Sequence, residues 1–135
     1  MRRMEQTKVA DNAVIYQAVS DYYDGWYTPD TRRMEQCLHT DLAKRAIKLD
    51  DAGKEYLLHL TKDVMVDATR EGGGSDAPSE KKNWTITILD SYGEIATVKV
   101  ASGEYMEYIH LAKQAGEWQI VNVIYTSNRG DRSAE

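Results

Sequence analysis

The feature that most constrains the fold is a change in the spacing of apolar residues along the chain. From Lys8 to Tyr27 they recur every three or four positions, which is the period of a helix packed on a core. From Asn83 onward they alternate in runs separated by short turn signals, namely Asn83–Leu89, Ile95–Ala101, Tyr105–Lys113 and Glu117–Thr126. Consecutive strands joined by tight turns pair antiparallel. The sequence therefore predicts an α+β domain, with helices first and a mainly antiparallel sheet after them.

The segment between these two halves carries further helix signals. Thr28–Asp30 offers a capping threonine, a proline suited to the first helical position and an acidic residue, and it predicts a short second helix that ends near Leu38. A turn and a short extended piece at Arg45–Leu49 are expected next. An aspartate at position 50 or 51 can cap a third helix that extends to about Thr69. The glycine-rich residues 70–80 are expected to form a loop.

Size, charge and cysteine content narrow the class of protein. With 135 residues the chain is expected to form a single domain, residues 1–135, with a core over about 8–126 and a polar tail at 127–135. The net charge of −5 argues against general nucleic-acid binding, which needs clustered basic residues. No run of residues reaches the ~20 apolar positions of a membrane span. Cys37 is the single cysteine, so no internal disulfide is expected and a reducing, cytoplasmic location is the natural one.

The sequence lacks motifs for metal or cofactor binding. The histidines His39, His59 and His110 are far apart and show no metal-ligand spacing. Gly72–Gly74 is not followed by the Lys-Ser/Thr pair of a phosphate-binding loop. Cys37 lies on the apolar stripe of the second helix and is interpreted as a small buried hydrophobic residue. We therefore expect neither a metal nor a cofactor.

The C-terminal strands are apolar on both faces. In the last run, one alternating set is Trp118, Ile120 and Ile124, and the other is Val121, Val123 and Tyr125. One face of the sheet must pack against the helices, and the other needs a separate partner. In a chain of this length the simplest partner is a second copy, which predicts a homodimer through the sheet.

Two stretches of the sequence are similar to a known family. The first contains Tyr16, Tyr23-Asp24-Gly25-Trp26-Tyr27, Asp30 and Leu38–Arg45, and the second contains Tyr105–Lys113 and Gly116–Asn122. They resemble the beginning and end of the family described as "putative lumazine-binding". That family belongs to the nuclear transport factor 2-like superfamily, with ketosteroid-isomerase-like and SnoaL-like proteins, and the likeness covers about Val14 to Thr126. The chain departs from the pattern at Thr40, where the family commonly has proline, and at Glu107, where it commonly has aspartate.

The resemblance implies a fold as well as a kind of site. Three N-terminal helices would pack on a curved, mainly antiparallel sheet, and the resulting cone would keep a pocket at its open end. Dimers through the convex sheet face are common in the superfamily. The superfamily also contains isomerases, dehydratases, binders and adaptors, so the fold does not choose the function.

Glu107 is the candidate acid or base in such a pocket. A carboxyl group among apolar neighbours has a raised pKa and can move a proton, and a nearby tyrosine hydroxyl can stabilise a developing oxyanion. Tyr105 shares the strand face of Glu107 if the alternation holds, and Tyr16 and Tyr23 share a helix face at i and i+7. In the alternative reading, Glu107 pairs with Arg45 or a lysine, or this part of the strand reaches solvent, and both tyrosines belong to the core.

Four further residues are candidates for ligand binding, and each also has a structural alternative. Trp26 can stack on a flat ring or close the mouth of the cone. His39 can orient a carboxylate or cap a helix carbonyl. Arg45 can bind an anionic group or satisfy an acidic side chain. Asn122 lies among apolar residues, where its amide needs a partner in the cavity or in a neighbouring loop.

Three functions are consistent with the sequence. The first is a small-molecule-binding protein whose apolar or aromatic ligand contacts tyrosine and tryptophan side chains. The second is a cofactor-independent isomerase or dehydratase, with Glu107 as general acid/base and Tyr16 or Tyr23 as hydrogen-bond donor. The third is a dimeric adaptor whose apolar sheet face binds another protein.

Overall fold

A computed structural model of the chain describes residues 2–130, and the side chains of residues 7–130. The helices are α1 (Arg2–Tyr27), α2 (Thr31–Cys37) and α3 (Lys62–Arg70), with a short 3₁₀ turn at Ser79–Lys81. The strands are β1 (Leu38–Leu49), β2 (Glu55–Leu60), β3 (Trp84–Tyr92), β4 (Ile95–Ser102), β5 (Tyr105–Gln114) and β6 (Glu117–Ser127). The predicted tail overlaps the end of β6, and its residues 131–135 lie outside the described part of the chain.

The six strands form one mixed sheet in the order β2-β1-β6-β5-β4-β3. Four of the five strand pairs are antiparallel, and β1 and β6 pair in parallel. The curved sheet and the helices packed on it form a cone-shaped α+β fold, as expected. The parallel pair brings β1, from the first half of the chain, beside β6, which with β5 forms the centre of the sheet.

A capping side chain and a glycine determine where α1 ends and α2 begins. The carboxylate of Asp30 accepts a hydrogen bond from the backbone N–H of Arg33 at 3.2 Å, so Asp30 caps α2 in place of the predicted Thr28. Gly25 lies against this turn, because a Cβ atom there would come within 3.2 Å of the backbone of Asp30 and Met34. The close approach of α1 and α2 therefore depends on glycine at this position.

The prediction of one helix over about 50–69 was wrong. Asp50 does not cap a helix; its side chain accepts hydrogen bonds from the backbone of Ala52 and Lys54 and closes the turn between β1 and β2. Gly53 completes that turn at a positive φ of 80°. The helix begins after Thr61, whose hydroxyl caps α3. The sheet therefore has two strands more than the four that the sequence predicted, and β1 and β2 precede the third helix.

A bulge in β6 changes which of its residues face the helices. His110 of β5 pairs with Asn122, and Leu111 pairs with Ile120, so Val121 is an extra residue. An extra residue reverses the alternation beyond it. Strict alternation placed Ile124 on the same face as Ile120. Because of the bulge, Ile124 instead lies half-exposed on the outer face of the sheet.

The core lies between α1 and the inner, concave face of the sheet. Its fully buried apolar side chains are Ile15, Val19, Met34, Leu38, Val98, Val100, Ile109, Leu111, Ile120 and Val123. The outer face also carries apolar side chains, as the sequence indicated, and Ile47, Tyr108 and Ile124 are exposed there. Among the described residues, no helix is both long enough and apolar enough to cross a membrane.

Candidate functional site

A cavity of about 100 Å³ remains between the C-terminal end of α1 and the inner face of the sheet. Five of its ten lining residues are tyrosines. The lining consists of Tyr22, Tyr23, Trp26, Tyr27, Lys44, Leu60, Met65, Tyr105, Glu107 and Tyr125. Most of the surface that a guest molecule would meet is aromatic, and the charged groups come from Lys44 and Glu107.

Two consecutive residues of α1 reach the same carboxylate. Neighbouring side chains on a helix diverge by about 100°, so Tyr22 and Tyr23 approach Glu107 from different sides. Their rings meet edge to face with centroids 5.1 Å apart. The Tyr22 hydroxyl donates a hydrogen bond to Oε2 of Glu107 at 3.1 Å, and the Tyr23 hydroxyl donates one to Oε1. Each carboxylate oxygen thus has its own donor.

Glu107 lies in the middle of β5 and is 2% exposed. It shares the inner face with Tyr105 and Ile109, as the alternation predicted. A carboxylate taken out of water needs compensating hydrogen bonds or charges. The two tyrosine hydroxyls supply the hydrogen bonds, and a lysine supplies the charge.

That lysine is Lys44, which reaches the cavity from β1. Its Nζ donates a hydrogen bond to the Tyr22 hydroxyl and lies 3.9 Å from Oε2 of Glu107. The ammonium group also lies 5.0 Å from the ring centroid of Tyr22 and 4.8 Å from that of Tyr125. Lys44, Tyr22, Glu107 and Tyr23 therefore form one continuous polar cluster at the base of the cavity, called the buried tetrad below.

Burial shifts the pKa of three members of the buried tetrad. Removal from water lowers the pKa of Lys44; the charge of Glu107 opposes this and the charge of Lys48 adds to it. Burial, reinforced by the charge of Glu107, raises the pKa of Tyr22 and of Tyr23 far above the ordinary tyrosine value. Both hydroxyls therefore stay protonated and act as donors at neutral pH.

Stacked aromatic rings form one wall beside the tetrad. The Trp84 ring stacks on Tyr23 at 5.6 Å and on Tyr27 at 5.7 Å between centroids. The Tyr27 hydroxyl donates to Oε1 of Glu104 at 2.6 Å. These contacts hold the tyrosines of α1 against β3 and keep the cavity open.

A glycine-rich loop packs on Trp26, which lines the cavity. The backbone N–H of Gly74 donates to the carbonyl of Trp26 at 2.8 Å. A Cβ atom at Gly74 would lie 2.6 Å from Nε1 of Trp26, and one at Gly73 would lie 2.4 Å from its carbonyl oxygen. The loop can pack this closely on Trp26 only because both positions lack a side chain.

The structure brings half of the sequence-predicted site residues together. Glu107, Tyr23, Trp26 and Tyr105 line the cavity. Tyr16, the predicted catalytic partner of Glu107, does not, and its side chain is 49% exposed. Seven residues of helix span about 10 Å, so Tyr16 lies too far along α1 from the cavity, although the period places it on the same face as Tyr23.

Three other predicted ligand-binding residues lie elsewhere. Nε2 of His39 bonds to Oε1 of Gln114 at 2.7 Å, outside the cavity. Nη1 of Arg45 donates to Oδ1 of Asn122 at 3.3 Å. Nδ2 of Asn122 donates to Nδ1 of His110 at 3.2 Å, so this group forms a polar network away from the cavity. Arg45 therefore satisfies Asn122. Of the predicted alternative that Glu107 pairs with Arg45 or a lysine, the Arg45 pairing was wrong, and the lysine beside Glu107 is Lys44.

Lys44 and Tyr22 were missed as site residues. Adjacent residues of a strand point to opposite faces, so a strand through Arg45 places either Arg45 or Lys44 inside. The extended piece predicted from the sequence begins at Arg45, so it does not include Lys44. Tyr22 lies within the apolar periodicity of Lys8 to Tyr27, which gives no sign that its hydroxyl meets a carboxylate.

Metal and thiol chemistry find no support in the described side chains. In that part of the chain, no group of three or more histidine, cysteine, aspartate or glutamate side chains is placed to hold a metal ion. Cys37 is buried, and its Sγ donates to the carbonyl of Met34 at 3.4 Å. Burial raises the pKa of the Cys37 thiol to about 12, so the reactive thiolate is scarce.

Comparison with known proteins identifies a family and a fold. The family model described as "Putative lumazine-binding" matches residues 10–126. A search of curated proteins found no significant match. Among solved structures, an NTF2-like protein of unknown function from Silicibacter pomeroyi superposes with a TM-score of 0.72 at 18% identity, over 90% of this chain and 98% of that one.

Two further solved structures agree on the fold. A ketosteroid isomerase-like protein from Erwinia carotovora has a TM-score of 0.59 and 17% identity, and the match covers 87% of this chain and 96% of that one. An NTF2-like protein with a cystatin-like fold from Novosphingobium aromaticivorans has a TM-score of 0.65 and 12% identity, with 98% and 91% covered. At these identities the likeness establishes the architecture and carries no function.

Proposed function

Because the chain belongs to the family described as "Putative lumazine-binding", we propose that it binds a small, flat ring compound in the tyrosine-lined cavity. The observation that carries this proposal is the buried tetrad at the base of an aromatic cavity. Ligand sites combine mainly apolar walls with a few placed polar groups, and this cavity has that composition.

Stability alone does not account for the tetrad. A buried ion pair is often no better for folding than well-packed apolar residues of similar volume. Lys44 and Glu107 are both buried, and both face the cavity rather than a packed interior. A ligand that hydrogen-bonds to these groups would gain affinity and orientation from them, which gives the polar cluster a role in recognition.

The dimensions of the cavity limit the size of the ligand. An engineered cavity of about 150 Å³ in another protein admits benzene, so about 100 Å³ limits the ligand to no more than one six-membered ring. A two-ring compound fits when the Trp26 side chain or the loop at Gly73 and Gly74 moves aside. Lumazine, named in the family description, is a two-ring pteridine whose imide edge carries both carbonyl oxygens and an N–H group.

The polar edge of such a ring matches the tetrad chemically. Glu107 accepts hydrogen bonds and Lys44 donates them. The Tyr22 and Tyr23 hydroxyls each have one proton, which they donate to Glu107, so they donate to a ligand only when they release that carboxylate. An imide edge presents a donor between two acceptors. We expect it to point toward Glu107, with the ring plane against Trp26 or the tyrosine rings.

A ligand screen tests this proposal directly. Lumazine, flavin precursors and steroid-like rings are added to the protein, and the melting temperature and the native mass spectrum are recorded. At least one flat ring compound should raise the melting temperature and remain bound in the spectrum. Glu107→Gln should weaken that effect, whereas Glu117→Gln, an exposed site outside the cavity, should leave it unchanged. Equal responses in the two variants, or no response to any ring compound, would contradict the proposal.

A second function, cofactor-independent isomerisation or dehydration, is favoured by one specific observation. Glu107 is a buried carboxylate that touches two protonated tyrosine hydroxyls, so a base and hydrogen-bond donors meet at one point. Tyr22 and Tyr23 take the donor role here in place of Tyr16. The test is hydrogen–deuterium exchange at the carbon next to the carbonyl of a cyclic ketone in heavy water. Exchange that the wild type accelerates and Glu107→Gln abolishes supports the enzyme, and exchange at the uncatalysed rate rules this function out for that ketone.

A further inference from the structure

We propose that Lys44 is a reactive amine that forms an imine with a small aldehyde or ketone bound in the cavity. This inference rests on the proposed binding function and narrows the ligand class to carbonyl compounds.

The surroundings of Nζ are those of an accessible amine rather than a fully paired ammonium. Its hydrogen-bond partner is the neutral hydroxyl of Tyr22, and the nearest Glu107 oxygen is 3.9 Å away. The remaining neighbours of Nζ are the ring faces of Tyr22 and Tyr125, and Lys44 lines the cavity. A carbonyl group entering the cavity can therefore reach Nζ without displacing a direct carboxylate contact.

Two features of the site favour the neutral, nucleophilic form of the lysine. Lysine nucleophiles in proteins are activated by removal from water or by a second cation nearby. Lys44 is nine-tenths buried, and Lys48 lies on the same side of β1, with its Nζ 5.3 Å from the Tyr125 ring. Both effects lower the pKa of Lys44, against the opposing charge of Glu107.

The tetrad also provides a path for the protons that imine formation requires. Nζ donates to the Tyr22 hydroxyl, which donates to Glu107, so one proton can pass from the ammonium through the hydroxyl to the carboxylate. The neutral amine then attacks the carbonyl carbon, the C=O π electrons move to oxygen, and a proton transfer from nitrogen to oxygen gives the carbinolamine. Loss of the hydroxyl group, with the proton returned from Glu107, releases one water molecule and leaves a protonated C=N bond.

Reductive trapping tests the inference with benzaldehyde, whose single ring suits the cavity. Cyanoborohydride delivers hydride to the C=N carbon and converts the reversible adduct into a stable secondary amine, which is located by peptide mass mapping. The neutral fraction of an amine rises about tenfold for each unit by which its pKa falls. We expect Lys44 to be modified about tenfold faster than exposed lysines such as Lys54 and Lys81.

Benzyl alcohol separates this inference from the binding function, because it has the same ring and lacks the carbonyl. In excess it should slow modification of Lys44 and leave the exposed lysines unaffected. A melting temperature raised by benzyl alcohol, together with no preferential adduct at Lys44, would overturn the imine and leave the binding function standing. Absence of both the thermal shift and the adduct would overturn the imine, and the binding function falls with it when no ring compound of the screen raises the melting temperature.

Matched variants locate the reaction within the tetrad. Lys44→Arg keeps the positive charge and should lose the fast adduct, whereas Lys48→Arg should keep it. Tyr22→Phe retains the ring and removes the relay hydroxyl, so it should slow trapping at Lys44. Unchanged trapping in Tyr22→Phe would contradict the relay. If Lys44→Arg fails to fold, the comparison of Lys44 with the exposed lysines in the wild-type protein still tests the imine.

Discussion

Glu107 is held in place by groups that would be left unsatisfied without it. Two tyrosine hydroxyls donate to its carboxylate, and the Lys44 ammonium lies 3.9 Å from it. Removal of one member of a buried ion pair leaves the other charge in an apolar environment. The residue therefore connects the stability of the fold with the chemistry of the cavity.

Glu107→Ala should lower the free energy of unfolding by about 3–5 kcal/mol, the cost typical of a broken buried pair. Urea denaturation measures the change. The double variant Lys44→Met with Glu107→Leu should recover only part of the loss, because apolar residues can replace the ion pair but the Tyr22 and Tyr23 hydroxyls still lose their acceptor. The exposed control Glu117→Ala should stay within about 0.5 kcal/mol of the wild type. A loss of less than about 1 kcal/mol in Glu107→Ala, the size of one ordinary hydrogen bond, would show that the carboxylate is not enclosed.

The tyrosines of the cavity predict a loss of stability in alkali. Burial raises the pKa of the five tyrosines that line the cavity, so the folded state keeps their protons when the unfolded chain releases them near pH 10. Their contribution to stability is complete below that pH and is lost as the pH rises. The lowered pKa of Lys44 makes stability rise with pH instead. This rise ends near pH 10.5, the ordinary pKa of lysine.

Above about pH 10.5 the free energy of unfolding should therefore fall by about 1.4 kcal/mol per pH unit for each such tyrosine. Urea midpoints recorded as a function of pH give the slope. Tyr23→Phe should make this slope shallower by the contribution of one tyrosine, whereas Tyr92→Phe, at an exposed position, should leave the slope unchanged. Identical slopes in these two variants would mean that Tyr23 is not enclosed in the tetrad.

Sequence reasoning recovered part of the site for identifiable physical reasons. Glu107 stood out because a carboxylate is rare in an apolar run, and Tyr105 followed from strand alternation. Lys44 gave no such signal, because lysine is seldom buried and its neighbours include other charged residues. Long-range partners, such as Tyr22 with Glu107 at a separation of 85 residues, follow only from the assembled fold.

At the scale of elements, β1 and the glycine loop decide the shape of the cavity. β1 pairs in parallel with β6, and this pairing places Lys44 opposite Val123 on the inner face. The loop covers Trp26 and lacks side chains where it touches the indole ring. The position of Lys44 thus depends on β1, and access from the Trp26 side depends on the loop.

Gly74→Ala should disturb the loop over Trp26. The new Cβ atom would lie 2.6 Å from the indole nitrogen, so the loop or the ring must shift. We expect tryptophan fluorescence to change and limited proteolysis within residues 71–78 to become faster. Asp76→Ala, at an exposed position of the same loop, is the control. Wild-type behaviour in Gly74→Ala would show that the loop does not seal against Trp26.

The elements that the sequence predicted well are those with an unbroken apolar period. α1 and the four C-terminal strands belong to this group. β1 was predicted only over its last part, Arg45–Leu49, because charged residues such as Lys44 and Lys48 occupy its inner-face positions. β2 was missed because it is an edge strand with exposed apolar residues. The third helix was predicted to extend from position 50 or 51 to about Thr69, although Thr61 separates the strand β2 from the helix α3.

At the scale of the whole molecule, the outer sheet face is the largest unexplained feature. Tyr108 pairs with Ile124 across β5 and β6, and Ile47 and Met106 lie beside them around a shallow groove. Three of these four side chains are about half-exposed or more. We propose that a second copy of the chain covers this face, in keeping with the two apolar faces of the sheet.

Ile124→Lys should separate such a dimer by placing a charge at its centre. Light scattering at micromolar concentration measures the mass, which should fall from two chains to one. Val9→Lys changes an equally apolar, exposed side chain on α1 and should leave the mass unchanged. A wild-type mass of one chain would rule out the dimer and leave the outer face available to a different protein.

We propose that the tyrosine-lined cavity is a ligand site with the buried tetrad at its base. The most direct measurement is a crystal structure of the protein with the ring compound that gives the largest thermal shift. We expect electron density for the compound between Trp26 and Glu107, with a polar atom within hydrogen-bonding distance of Lys44, Tyr22 or Tyr23. A structure in which side chains fill the cavity and the compound binds elsewhere would contradict the account.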